Sequence, residues 1–257
     1  MTVVDTGRMP NIELTQSDFE VPKPCQNWAL FLDIDGTLID IAAGPDAVIV
    51  PEALAPTLAS ASDWLGGALA IVSGRPFGKI DELMAPLKLP CAGEHGAVLR
   101  LPDGTFRNAK AECAVPEAWK SHVRAATQGW SGVVVEDKPY SIAAHFRRVP
   151  ERERDVHDLL ESVVAGNSQG FEVLSAHMAF EVRHHKLTKA AAVHEFMKHA
   201  PFCDRIPVFV GDDVTDEDGF RAAQELGGIA LHVHGAFKGR TSNVRRWLEA
   251  FRSADIG

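Results

Sequence analysis

The sequence predicts an α/β protein: a doubly wound parallel sheet core with a smaller α+β cap domain inserted into it. Three observations predict it. Short β-rich runs alternate with helical patterns at both ends of the chain. The middle of the chain abandons that alternation for two helix–strand–strand halves. Two acid-rich motifs, 28-WALFLDIDGTLID-40 and 206-IPVFVGDDVTDED-218, each follow a buried-looking apolar run, and the C-terminal ends of parallel strands are where such sheets carry chemistry.

The elements follow in order. Residues 1–25 are polar and proline-bearing and read as a loosely ordered lead-in. WALFLDID is a buried strand, and PEALAPTLASASDWL a helix with Pro51 in its first turn. ALAIVSGR is a second strand, PFGKIDELMAPL a helix, and LPCAGEHGAVL a third strand and turn. Residues 103–183 form the expected insertion: helix PEAWKSHVRAATQGW, strands GVVVED and SIAAHFRRV, helix ERERDVHDLLESVVAG, strands FEVLSA and MAFEVR. The parallel core, 26–102 and 184–257, then resumes with helix KAAAVHEFMKHA, strand IPVFVGDD, helix TDEDGFRAAQELG, strand GGIALHVH and helix SNVRRWLEAFRSA.

Bulk properties narrow the function. Of 257 residues, 46% are hydrophobic, enough to bury a core. Twenty-six basic against 35 acidic residues leave a net charge of −9, which argues against a nucleic-acid or anionic-membrane partner. A small anionic substrate stays compatible, because a bound cation and a few local lysines or arginines reverse the field inside one pocket. Cys25, Cys91, Cys113 and Cys203 form no CxxC pair, so neither a zinc site nor a redox pair is signalled. The apolar runs are too short to span a bilayer and the start has no signal-peptide core. A cytoplasmic protein, monomeric or weakly oligomeric, is expected.

Asp33 and Asp35 stand one residue apart at a strand end, with Gly36 permitting a sharp turn. One carboxylate can attack an electrophile while the other serves as general acid and then base. Thr37 can hold one of them by a hydrogen bond. In the second motif Asp212 is the best-placed ligand for a hard divalent cation, which takes oxygen ligands; Asp213 and Asp216 are further ligands or supports. Glu217 and Asp218 also read as acids at a helix N-terminus. Ser73 and Gly74 in 71-IVSGR-75 offer a hydroxyl and a backbone N–H to phosphate oxygens. Lys189, opening the helix after the insertion, can neutralise a phosphoryl group and the attacking carboxylate. His184, His185, His232 and His234 lack carboxylate or cysteine partners at ligand spacing and read as surface or loop residues.

Together these four motifs resemble the haloacid dehalogenase superfamily of aspartate-dependent phosphohydrolases. The resemblance implies that Asp33 attacks phosphorus, that Asp35 protonates the leaving alcohol and then activates water, and that Mg²⁺ is held by Asp33, the Asp35 backbone carbonyl and Asp212. Ser73 and Lys189 would hold the phosphoryl oxygens.

The insertion carries 136-EDKPYSIAAHFR-147 and 180-FEVR-183, and with GEHGA (93–97) and GDDVTDE (211–217) these resemble the trehalose-6-phosphate phosphatases. The likeness implies a sugar phosphate substrate whose distal hydroxyls meet Glu136, Lys138 and Glu181. Arg75, His145 and Arg147 would help at the phosphate or in holding the cap. The chain departs from that pattern at 183-RHHKLTKAAA-192, where R-P-x-G-x-x-K-G is usual, and at Pro139, where glycine is common. Alternatives are a phosphatase of sucrose phosphate, mannosyl-phosphoglycerate or a monosaccharide phosphate, a phosphomutase, and a catalytically silent sensor. The intact Asp33, Asp35, Ser73, Lys189 and Asp212 set speaks against silence.

Overall fold

The computed structural model describes residues 21–42, 48–165 and 170–251. Residues 1–20 of the expected lead-in, and the end of the last expected helix beyond 251, lie outside the described residues.

In chain order the elements are β1 (Trp28–Leu32), α1 (Leu54–Trp64), β2 (Leu69–Val72), α2 (Phe77–Leu83), β3 (Cys91–Gly93), β4 (Val98–Arg100) and β5 (Phe106–Asn108). Next come α3 (Glu117–Thr127), β6 (Val134–Asp137), β7 (Ile142–His145), α4 (Glu153–Val164), β8 (Phe171–Ala176) and β9 (Ala179–His184). The chain ends with α5 (Lys189–Phe196), β10 (Ile206–Gly211), α6 (Glu217–Glu225), β11 (Ile229–His232), α7 (Val233–Ala236) and α8 (Thr241–Leu248).

Seven strands form one sheet in the order β11-β10-β1-β2-β3-β4-β5. The first five are parallel, and every residue of β1 and β2 is buried, as a sheet covered on both faces requires. The core packed around it runs from Leu30, Phe31 and Leu32 through Phe196, Phe202 and Phe209 to Phe251.

Three local expectations need correction. The sheet is mixed, because β4 and β5 run antiparallel at its edge. Phe106–Asn108, inside the stretch expected as insertion, therefore belongs to the large sheet. The cause is a turn at Asp103–Gly104: Gly104 has φ +83° and the Asp103 carboxylate accepts from both the Thr105 N–H and its hydroxyl, folding β5 back on β4. At the other end, GGIALHVH stops being a strand at His232 and turns into the short α7, so His232 and His234 do not share a strand face. Helix α1 starts at Leu54, three residues after Pro51.

The second sheet is antiparallel, in the order β6-β7-β9-β8. Strand alternation splits its residues between two faces. Ile142, Ala144, Phe180 and Val182 join Val123, Val156 and Leu160 of α3 and α4 in a separate apolar cluster. The other face carries Glu136 and Glu181 on either side of Ala143, and Val134, His145 and Ala179 one row along. Among the described residues no helix is long and apolar enough to cross a membrane.

Candidate active site

One cleft of about 240 Å³ lies between the C-terminal ends of β1, β2 and β10 and the polar face of the smaller sheet. Asp33, Asp35, Ser73, Gly74, Arg75, Lys189, Asp212 and Asp213 line it from one side, and Glu136, Lys138, His145, Arg147 and Glu181 from the other. Every residue expected at the catalytic, phosphate, metal or sugar site except Thr37 and Asp216 thus reaches the same space.

Asp33 follows the last residue of β1 and is buried. Lys189 Nζ donates to Asp33 Oδ1 at 2.7 Å and to Asp216 Oδ1 at 2.5 Å. Burial pushes the Asp33 carboxyl well above its ordinary value; Lys189 opposes this, and the carboxylates of Asp216, Asp35 and Asp212 add to it. Burial and the neighbouring Asp216 and Asp213 likewise push Asp212 up to about 7. Burial alone would lower Lys189, but Asp216 and Asp33 outweigh it and hold the ammonium charged.

The carboxylates of Asp33, Asp212 and Asp216 each offer an oxygen within 4.8 Å of the others. Asp216 spends its hydrogen bonds internally, on Lys189 and on the Asp212 and Asp213 N–H groups at 3.1 and 3.2 Å. Asp213 caps the turn that follows, accepting from the Val214 N–H. Asp212 differs: its buried Oδ1 has no hydrogen-bond partner. An unpaired buried carboxylate oxygen beside a second carboxylate, with all donors oxygen, fits a hard divalent cation such as Mg²⁺. The approach is close because residue 36 is glycine: a Cβ there would lie 1.9 Å from Asp212 Oδ2, and its φ is +72°.

Asp35 has a partner that its position in the motif did not suggest. Arg75 grips both its carboxylate oxygens at 2.6 Å, through Nε and Nη2. Arg75, expected at the phosphate or the cap, is thus tied first to Asp35. The expectation for Thr37 fails. Its hydroxyl is buried without any partner and holds neither aspartate; Thr37 sits in the tight turn whose backbone bonds back to Ile34.

On the opposite wall His145 Nε2 lies 3.0 Å from Glu136 Oε2. Lys138 and Glu181 make a buried ion pair at 3.1 Å, and Glu181 also accepts from the Ser141 hydroxyl. Burial alone would raise the Glu181 carboxyl, but Lys138, His95 and Ser141 outweigh that and hold it far below the usual carboxylate range. Lys138 Nζ also donates to the Gly74 carbonyl at 3.1 Å, and Arg147 donates to the Ala42 carbonyl, so both residues bridge the two sheets.

His95 also lines the cleft, and its neighbour Glu94 is buried beside it; the sequence singles out no role for either. Both have left-handed backbone, φ +46° and +57°. Such conformations cost non-glycine residues about 1–3 kcal/mol each and persist where surroundings dictate them. Their only sequence signal was the quoted GEHGA. His184, expected at the surface, is instead the buried last residue of β9, and its Nδ1 accepts from the Lys186 N–H.

The model of the trehalose-phosphatase family matches residues 31–247. A probable trehalose-phosphate phosphatase of Sinorhizobium fredii is 44% identical over 207 residues, 80% of this chain and 78% of that protein. The trehalose-6-phosphate phosphatase of Escherichia coli is 32% identical over 250 residues, 94% of this chain and 92% of that one. Among solved structures, the C-terminal domain of Candida albicans trehalose-6-phosphate phosphatase superposes with a TM-score of 0.72 at 19% identity, covering 88% of this chain and 92% of the other. That superposition establishes the shared fold.

Proposed function

The chain belongs to the trehalose-phosphatase family, and on that footing we propose that it hydrolyses trehalose 6-phosphate to trehalose and phosphate. The observation that carries the reading is the single cleft that puts Asp33, Lys189 and Asp212 opposite Glu136, Lys138, His145 and Glu181. One wall suits a phosphoryl group and the other a hydroxyl-rich sugar, which needs fixed acceptors and donors.

In this reading an Asp33 oxygen attacks phosphorus and the bond from phosphorus to the sugar oxygen breaks. The Asp35 carboxyl gives its proton to that oxygen as trehalose leaves. The Asp35 carboxylate then takes a proton from water as the water oxygen attacks the aspartyl phosphate, releasing phosphate and restoring Asp33. Arg75 fixes where the acid–base carboxyl sits. Lys189 balances the charge of Asp33 and of the phosphoryl oxygens, and Ser73 and Gly74 receive those oxygens. Asp33, Asp212 and the Asp35 carbonyl would hold Mg²⁺, which when bound neutralises phosphate charge. Across the cleft, Glu136, Lys138 and Glu181 meet the distal sugar, with His145 and Arg147 supporting them. The partner is a small sugar phosphate, and a cytoplasmic setting suits it.

The test is phosphate release from a panel of sugar phosphates with Mg²⁺ present. Trehalose 6-phosphate should show the highest kcat/KM. A clear preference for sucrose phosphate, mannosyl-phosphoglycerate or a monosaccharide phosphate would overturn the substrate; no hydrolysis of any ester would overturn the reaction.

A further inference from the structure

The Glu94–His95 turn lies between β3 and β4 and contacts three parts of the site at once. Its backbone faces the phosphate loop: Glu94 N–H donates to the Arg75 carbonyl at 2.9 Å and His95 N–H to the Ser73 carbonyl at 3.0 Å. Its side chains face the smaller sheet. The Glu94 carboxylate accepts from the Tyr140 N–H at 2.8 Å, and His95 Nε2 stands 3.6 Å from Glu181 Oε2. Just after it, Gly96 packs on the start of α5, where an added Cβ would come within 3.1 Å of the Thr188 carbonyl, next to Lys189.

The phosphate loop is therefore held from two sides. Its Ser73 and Arg75 carbonyls are bound by the turn, and its Gly74 carbonyl by Lys138, which belongs to the segment joining β6 and β7. The packing between turn and loop is close. A Cβ on Gly74 would sit 2.7 Å from the His95 ring, and one on Gly93 would sit 3.0 Å from Phe77 N. Two consecutive left-handed non-glycine residues mark a conformation that this surrounding contact imposes.

We propose that Glu94 and His95 are positioning residues, a latch that passes the position of the sugar-facing sheet to the loop and lysine that handle the phosphate. The proposal rests on the function proposed above, since it concerns a substrate that spans both walls of the cleft. Neither residue touches the reacting atoms. The Glu94 carboxylate and the His95 ring set where the cap sheet stands; the backbone of both, with the His95 ring against Gly74, sets the shape of the loop.

Three variants test it on trehalose 6-phosphate and on a small aryl phosphate that reaches only the Asp33 side. Glu94→Ala removes the acceptor for the Tyr140 N–H and leaves the turn's backbone bonds to the loop. It should lower kcat/KM for the sugar ester about tenfold or more, as expected for a lost charged hydrogen bond, and for the aryl ester less than threefold. Glu94→Gln keeps a side-chain acceptor and should stay within about threefold of wild type on both. His95→Asn suits the left-handed backbone but cannot reach Glu181, and should lower kcat/KM for the sugar ester about tenfold or more even if Glu94→Ala does not fold. Equal losses on both esters in Glu94→Ala, or a Glu94→Gln variant as poor as Glu94→Ala, would overturn the latch and leave the turn a mere support of the core. So would His95→Asn or a folded Glu94→Ala with wild-type turnover of the sugar ester. A wild-type enzyme inactive on trehalose 6-phosphate would instead overturn the substrate reading. The variant-to-wild-type ratios would then be read on the sugar phosphate it does hydrolyse.

Discussion

Neutralising Glu181 should destabilise the protein strongly, and the structure says by how much. In the native state its carboxylate meets Lys138 Nζ at 3.1 Å, with side-chain exposures of 7% and 6%. Glu181→Gln keeps the shape and removes the charge. It leaves the Lys138 ammonium buried with the Gly74 carbonyl and with Glu136 at 3.9 Å. Breaking one side of a buried ion pair costs about 3–5 kcal/mol; the partners left to Lys138 set the expectation at the low end, about 3 kcal/mol. In a chain of this size that lowers Tm by roughly 6–12 °C. The assay is urea unfolding followed by circular dichroism, with thermal scans. Lys138→Met combined with Glu181→Gln removes both charges and should be less harmful than the two single losses added, by about 1–3 kcal/mol. The pH profile gives an independent reading. Glu181 is held far below its unfolded value of about 4.3, so its stabilisation is complete above that pH and fades as the pH falls below it. Glu181→Gln should flatten that acid limb. A loss under about 1 kcal/mol, or strict additivity in the double variant, would refute the reasoning.

Asp35→Asn should lower kcat by about 10²–10⁴-fold while the protein still folds; half the wild-type rate would remove Asp35 from the acid–base role. Excess chelator should abolish activity and Mg²⁺ restore it, with Ca²⁺ a poor substitute because it takes more ligands at longer distances; full turnover in chelator would be decisive against the cation. Gly36→Ala would drive a Cβ onto Asp212 Oδ2 in a left-handed turn, so Mg²⁺ affinity measured by calorimetry should drop along with stability; unchanged binding would show that the carboxylate has room to move. Glu136→Ala should lower kcat/KM for trehalose 6-phosphate about ten- to a hundredfold and leave a small aryl phosphate nearly untouched; equal effects would make Glu136 a prop for His145 and not a sugar contact.

The parallel core and its reactive carboxylates could be read from the sequence because both rest on local pattern. An apolar run ending in DIDGT or GDD fixes a buried strand and the side chains at its end; Asp33 bonds Lys189, and oxygens of Asp33 and Asp212 lie within 4.8 Å of each other. What could not be read depends on pairings between distant residues. Arg75 reaches Asp35 across 40 positions, and SGR alone does not say whether its arginine faces a phosphate or a carboxylate. Glu94 and His95 are left-handed only because of what surrounds them, which no propensity anticipates. The Thr37 hydroxyl had two carboxylates nearby in sequence and bonds neither, since its turn points it into a buried space. The β4–β5 hairpin is a different case. Its turn is local, at Asp103–Gly104, but the pairing of the strand after it with the large sheet and not with the insertion is not a local property.

The order of the four-stranded sheet treats its two cleft-lining acids unequally. Glu181 stands on β9, which is hydrogen-bonded to a strand on each side; Glu136 stands on β6, an edge strand tied only to β7 over four residue pairs. Edge strands open at lower free-energy cost than central ones. The Glu181 side of the cleft is therefore a fixed datum and the Glu136 side an adjustable jaw. A chain adapting to a larger or differently linked sugar would find room more readily at Val134–Glu136, short of the Lys138 tie to Gly74, than on β9, which β7 and β8 hold from both sides.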